Sequence, residues 1–276
     1  MNSLQRIAII VSYEWKRALA RKMLIILLVI AIAFEAFPFI LFSRGGLFLP
    51  SGIQETMWVT GILSGQSLFV QLIAMQVAGS SMSDEYEQGT ADILLSKPIK
   101  RVEYLAGKFL GGILVLSFVE VVTAVTGIVL SYGLFGVQQN IQFVPLMYVA
   151  VMYSILVFYS LTFMFSEFLR RSNLAMFAGF GVFLISQIAG TALLFTSGQA
   201  FKDLSQLLPT WSATAFPASL AVSLNLQPSW WIISGLTFAI VGDAALAATI
   251  IAVYAVIFVV LAYVRFARSD VTKKTA

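Results

Sequence analysis

Six long apolar stretches separated by short polar ones organise the chain: Met23–Phe42, Trp58–Gly79, Leu105–Leu134, Phe143–Phe165, Leu174–Thr196 and Ala244–Val264. About 20 mostly apolar residues in a helix cross a hydrocarbon core roughly 30 Å thick. Each stretch is therefore predicted to be one membrane-spanning helix. The third is longer than the core requires, so it is expected to tilt or to project beyond it. Ahead of the first, Leu4, Ile7, Ala8, Val11, Trp15 and Ala18 recur at helical spacing, while Arg6, Lys16 and Arg17 lie largely elsewhere. That pattern predicts an amphipathic helix within residues 1–22, lying along the membrane surface as an elbow into the first span. A cytosolic extension of the first helix is the alternative reading. The apolar run Ile7–Val11 is too short for a secretory signal, and basic residues flank it.

One segment breaks the pattern. Between residues 197 and 243 the chain carries Pro209, Pro217 and Pro228, with Trp211, Trp230 and Trp231 close by. Proline interrupts helices and tryptophan favours the membrane interface. Short re-entrant or surface helices on the outer face are expected there, covered by protein where their backbone is irregular. Two additional spans are the competing reading.

Charge adds orientation. With the first residues inside, Arg6, Lys16, Arg17, Arg21, Lys22, Lys97, Lys100, Arg101, Lys108, Arg170, Arg171, Arg265, Arg268, Lys273 and Lys274 all fall on the inner side. Only Arg44 and Lys202 remain outside. Basic loops stay cytoplasmic, so both ends are predicted to be cytoplasmic. The chain reads as an all-α, multi-pass membrane protein, with an elbow over residues 1–22 and one six-helix transmembrane domain over residues 23–276. Composition agrees: 59% of the residues are hydrophobic and 11% charged, against roughly 25% charged in soluble domains. The net charge of +4 follows from basic inner loops and does not point to nucleic acid. The absence of Cys and His removes disulfides, thiolate nucleophiles, imidazole bases and His- or Cys-ligated zinc. No catalytic residue and no metal site are expected.

The second and third stretches are joined by SDEYEQGTADILLSKPIKR, residues 83–101, which holds Asp84, Glu85, Glu87, Asp92, Lys97, Lys100 and Arg101. On this topology it faces the cytoplasm, within a loop over residues 83–104. Ser83 is placed to cap a first turn containing Asp84 and Glu85, and Gly89 to interrupt it. Thr90 is placed to cap a second short helix that Pro98 ends. Ile93, Leu94 and Leu95 beside Asp92 would then form an apolar knob with a charged rim, as protein contacts often do. By periodicity alone, a docking helix and a charged loop that merely sets orientation fit equally well.

The strings Glu85-Tyr86-Glu87-Gln88-Gly89-Thr90, Leu94-Leu95-Ser96-Lys97-Pro98, Arg101 and Gly107-Lys108 resemble the cytoplasmic signature of type-2 ABC exporter permeases. Tyr13-Glu14-Trp15-Lys16-Arg17 with Arg21-Lys22 is similar to that family's N-terminal elbow. Arg170-Arg171-Ser172-Asn173 stands in its second inner loop, and the run from Arg265 to Val271 resembles its ending. Lys100 before Arg101 is a departure from the pattern. The resemblance implies a plasma-membrane subunit that forms a two-fold pair with a second permease chain, identical or related. It implies two separate ATP-binding subunits onto which the loop docks, with Asp84, Glu85, Glu87, Gly89, Thr90, Asp92, Leu94, Leu95, Pro98 and Arg101 carrying the coupling. ATP and Mg would sit on those partners and no cofactor on this chain. The residues agree on that point: the one Gly-Lys has Val102 where a phosphate-binding loop of the form GxxxxGK[ST] needs glycine.

Glu35 and Glu120 fall inside apolar stretches, where ionisable groups are costly and by default functional. They are candidates for the substrate path or for contact between helices or subunits; a protonated carboxyl bonded to a neighbouring helix, or a hydrated one near the surface, is the structural alternative. An ion-coupled secondary transporter using both as proton sites, or a non-transporting membrane scaffold, are the other functional readings. The first leaves the loop signature unexplained and finds no pair of inverted halves.

Overall fold

The computed structural model describes residues 2–44, 51–64, 67–90, 99–196, 198–226 and 242–268. Among these the structure is all-helical, without a strand. In chain order the helices are α1 (Ser3–Leu19), α2 (Lys22–Arg44), α3 (Ser51–Gln54), α4 (Met57–Leu63), α5 (Leu68–Glu87) and α6 (Arg101–Phe135). There follow α7 (Val144–Leu169), entered through a 3₁₀ turn at Ile141–Phe143, α8 (Ser172–Phe195), α9 (Gln199–Gln206), α10 (Pro209–Ser223) and α11 (Ala244–Arg268).

Six segments are long and apolar enough to cross a membrane: α2, α4 with α5, α6, the turn with α7, α8, and α11. They coincide with the six apolar stretches, so the span count read from hydropathy holds. The second is assembled from two helices, because α4 ends at Leu63 and α5 starts at Leu68. α2 runs through Pro38 without ending there. The third is the longest, at 35 residues, as its apolar run implied.

α5 lies at the centre. The segment Met57–Glu87 is buried over 69% of its apolar stretch, and α11 over only 11%. On one side α5 meets α2 and α6, and on the other α7 and α8. α6 in turn carries α1, α2 and α4, whereas α7 carries α10 and α11. The peripheral helices turn large apolar side chains outward, among them Val29, Phe37, Ile185, Ile188 and Val256. Such a surface is stable only in a non-aqueous solvent.

α10 is 15 residues long, about 22 Å of helix, too short to cross the bilayer. It packs against α7, α8 and α11 and buries Trp211, Ala213, Ala215 and Ala218. Its buried hydroxyls are satisfied locally, as Thr214 donates to the Thr210 carbonyl and Thr210 shares a 2.7 Å bond with Ser186. Short helices before the last span are therefore present. The stretch Trp230–Val241, expected to belong with them, lies outside the described residues.

Candidate functional site

All polar junctions on one side of the bundle converge: α1, the end of α5, the start of α6, the α7–α8 junction and the end of α11. The end of α5 is the hub. No proline stands between Leu68 and Gln88, and Ser83, Asp84 and Glu85 continue the second span. This corrects the expectation that Ser83 begins a new helix: it is fully buried inside α5 and bonded to Ser166 of α7. The chain leaves the helix at Gly89, with φ of 66°. The Thr90 amide bonds to the Glu85 carbonyl at 3.0 Å and the Gly89 amide to the Tyr86 carbonyl at 3.3 Å. This is a Schellman ending, which needs a residue in the left-handed region at Gly89.

The continuation reverses the electrostatics of Asp84 and Glu85. At a helix start they would suit the positive end of the dipole; at the end of α5 they sit at the negative one and need cations. Three arrive from elsewhere. Lys108 of α6 donates to Glu14 of α1 at 2.6 Å and also pairs with Glu85. Arg17 of α1 pairs with Glu14 at 2.9 Å and with Glu85 at 3.5 Å, and donates to the carbonyls of Ser80 and Ser81 at 3.0 and 3.1 Å. Arg21 pairs with Asp84. Burial pulls the Arg21 guanidinium down from its usual value, and Asp84 opposes that shift. Lys108 is 1% exposed, Glu85 2% and Glu14 6%, with the rings of Tyr13 and Tyr104 near 5.5 Å from the ammonium. The four groups Glu14, Glu85, Lys108 and Arg17 balance in charge, the condition under which ions tolerate such burial. α1 approaches closely because Gly107 and Gly111 form its floor: a Cβ at Gly107 would lie 2.7 Å from Ile10 Cβ.

The far face of the same helix end is bonded to α7 and α8. Ser166 Oγ accepts from the amides of Met82 and Ser83, and Tyr86 donates to Glu167 at 2.8 Å with Arg170 over its ring. Glu87 Oε1 accepts from the Ser172 amide at 2.9 Å, placing a carboxylate at the positive end of α8. Arg101 donates to the carbonyls of Phe266 and Ala267 at 2.8 and 2.7 Å, so it caps the end of α11. Replacing Arg101 with alanine is expected to accelerate amide hydrogen exchange over Val264–Arg268 while leaving α6 protected. Asp84, Glu85, Glu87 and Arg101 are thus all bonded within the chain, and Thr90 lies beside the turn. Asp92, Leu94, Leu95 and Pro98 lie outside the described residues.

Glu35 and Glu120 lie in a second place, where α2, α4 and α6 pack. Glu120 is fully buried, with Oε2 3.4 Å from the Thr123 hydroxyl. Glu35 is 6% exposed, and among the described residues neither of its oxygens has a hydrogen-bond partner. Its carboxyl faces Ser64 and Gly127, two turns beyond Glu120 on the same buried face of α6. Among the described residues no Lys or Arg pairs with either carboxyl. The helices are in backbone contact there: a Cβ at Gly61 would lie 2.6 Å from Gly127 Cα.

One family model, that of the ABC-2 family transporter proteins, matches residues 8–271. The chain belongs to this family. No curated protein matches it. As an ABC-2 family protein it is a multi-pass membrane component, and the resemblance seen in its loop and elbow is borne out at that level. The match covers the elements that build the charge cluster.

Sequence reading of this ABC-2 protein passed over Glu14, Lys108, Ser166 and Glu167 as site residues. The first two stood in the quoted strings, and each also interrupts an apolar stripe. Ile10, Glu14 and Ala18 share the buried face of α1, as Tyr104, Lys108 and Gly111 share that of α6. An ionisable residue on the buried face of an amphipathic helix was the available signal. For Ser166 no local signal exists.

Proposed function

We propose that this ABC-2 family chain is the permease half of an ATP-driven exporter in the plasma membrane. Two such chains, identical or related, pair about a two-fold axis and engage two separate ATPase subunits that hold ATP and Mg. Both termini and the segment 83–104 face the cytoplasm, α1 lies at the membrane surface, and the region 197–243 covers the outer side. The loop containing Asp92, Leu94, Leu95 and Pro98 is the docking surface. Asp84, Glu85, Glu87, Gly89, Thr90 and Arg101 act behind it, by fastening the loop ends to the spans.

The observation that carries this reading is the buried cluster of Glu14, Arg17, Glu85 and Lys108. A loop that only set orientation would need its charges in water. Here the carboxylate at the loop's entry is sunk between α1 and α6, so displacement of the loop must move α5 and those helices together. Coupling of that kind requires contacts that differ between the two ATPase states, and the cluster offers discrete pairings to exchange. Co-expression with candidate ABC ATPases encoded in the same genome provides the test. The complex is expected to survive detergent purification, and Leu94→Asp is expected to abolish ATPase retention without altering the fold. Failure of the wild-type chain to retain the ATPase would remove the exporter reading.

A further inference from the structure

Three arginines from three helix ends stand around one buried carboxyl. Glu167, near the end of α7, is fully buried and accepts from Tyr86 at 2.8 Å, and its Oε1 has no partner among the described residues. Arg170 faces it electrostatically from the α7–α8 junction, Arg265 from the last turn of α11 and Arg101 from the start of α6. Arg101 is committed to the carbonyls at the end of α11. Arg170 and Arg265 are not: among the described residues neither makes an ion pair. Each guanidinium is instead braced on an aromatic ring, Arg170 at 4.6 Å from the centre of Tyr86 and Arg265 at 5.9 Å from that of Phe168. Arg170 Nε is shut off from solvent without an acceptor among the described residues. Glu87, the other acid at this end of α5, is taken by the Ser172 amide. Three cations against at most one anion, 3 − 1, leave an excess of at least two positive charges at this junction.

A guanidinium held on a ring keeps its planar fork of N–H groups ready for a phosphate or a carboxylate. The neighbouring apolar surface decides between them. Phe168, Leu169 and Val264 are exposed beside these arginines, and α11 is the least buried of the spans. An occupant therefore has to meet fixed positive charge and the apolar ends of two spans together. A soluble acidic surface matches only the charge. An acidic phospholipid matches both, with its phosphate at the level where the spans leave the hydrocarbon. We propose that the ends of α7 and α11 form a binding site for an anionic phospholipid, with Arg170 and Arg265 on its phosphate and Phe168, Leu169 and Val264 along the start of its acyl chains. The phosphate supplies the negative charge that the junction lacks. The site goes beyond the exporter reading and does not depend on it, because it concerns the bilayer and not the ATPase. On the orientation proposed above, the lipid belongs to the cytoplasmic leaflet.

The test titrates the purified full chain in neutral detergent with phosphatidylglycerol, phosphatidylcholine or inorganic phosphate. Bound lipid is counted by native mass spectrometry, and the thermal midpoint is followed in parallel. Phosphatidylglycerol is expected to be retained and to raise the midpoint, and phosphatidylcholine and inorganic phosphate are not. Retention is expected to fall with added salt, since the contact lies at the surface. Arg170→Gln and Arg265→Gln are each expected to weaken it about fivefold, the usual share of one basic residue near anionic lipid. Arg44→Gln removes the same charge at the other end of α2 and is expected to change nothing. Arg265 is exposed, so its variant carries the test should Arg170→Gln fail to fold. Equal retention of the two lipids, or full retention of phosphatidylglycerol by the Arg170→Gln, Arg265→Gln chain, overturns the proposal. A midpoint raised as far by inorganic phosphate makes this a free-anion site and overturns it too. Loss of ATPase binding in Arg265→Gln without any preference for phosphatidylglycerol assigns the patch to a protein partner instead.

Discussion

Lys108→Met is expected to destabilise the purified chain by about 3–5 kcal/mol, the range observed when one member of a buried ion pair is removed. Methionine matches the lysine stem in volume, so packing is nearly conserved and the loss is electrostatic. What remains is two carboxylates, Glu14 and Glu85, buried close together, with Arg17 as their one shared cation among the described residues. Since whole domains are marginally stable, a change of this size should appear as a large drop in the thermal midpoint in detergent, or as failure to accumulate in the membrane. The triple variant Lys108→Met, Glu14→Gln, Glu85→Gln is expected to recover most of that stability, because a buried charge network replaced as a whole costs little. The same variant should fail to couple with the ATPase, since the exchangeable pairings are gone. Equal stability of Lys108→Met and the wild type would show that the cluster is hydrated and would remove the coupling role drawn from its burial. Lys108→Arg is not expected to rescue, as a planar guanidinium does not fit the space between the Tyr13 and Tyr104 rings that holds a compact ammonium.

The second large effect is expected at Gly127. A methyl there would meet the backbone of Gly61 and, 2.6 Å away, the Glu35 carboxyl. Backbone atoms cannot rotate aside, so α4 and α6 must separate along a stretch that also holds Glu120. Overpacking of this kind costs about 1–3 kcal/mol, and the upper end is expected because two neighbours are displaced at once. Gly133 on the same helix has nothing within 4 Å of the place a methyl would occupy. Gly133→Ala should therefore be neutral or slightly stabilising, and thermal unfolding of the two variants in parallel separates close packing from helix propensity. Comparable midpoints for both would mean that α4 and α6 are not in backbone contact.

The elements were legible because the membrane imposes simple rules. A span needs only enough consecutive apolar residues, and Met23–Phe42 or Ala244–Val264 has no other stable reading in so hydrophobic a chain. The end of α5 at Gly89 was legible for a similar reason, since a left-handed turn after a helix favours glycine. The error at Ser83 has an equally physical source. Ser-Asp-Glu is a good helix start in isolation, and nothing within ten residues shows that its hydroxyl has a partner on α7. The two glutamates of the spans were visible singly, but the approach of Glu35 to Gly127, on the buried face of α6 that also holds Glu120, depends on how α2 packs against α6.

The run of apolar and polar positions by itself determined the six spans, the amphipathic first helix, the gathering of basic residues on one side and the family resemblance of the loop. These are consequences of solvent preference, backbone conformation and motif spacing, all of which act along the chain. Only the tertiary structure decided that Glu85 lies between Lys108 and Arg17, that Arg101 caps α11, and that Ser166 holds Met82 and Ser83. Each of those joins residues from different helices, and in a bundle of similarly apolar helices the pairing of faces is set by close packing and by the few buried polar groups that must find one another. The stretch between Ser83 and Arg101 thus carries its family resemblance in sequence, while its attachment to the spans is a property of the fold.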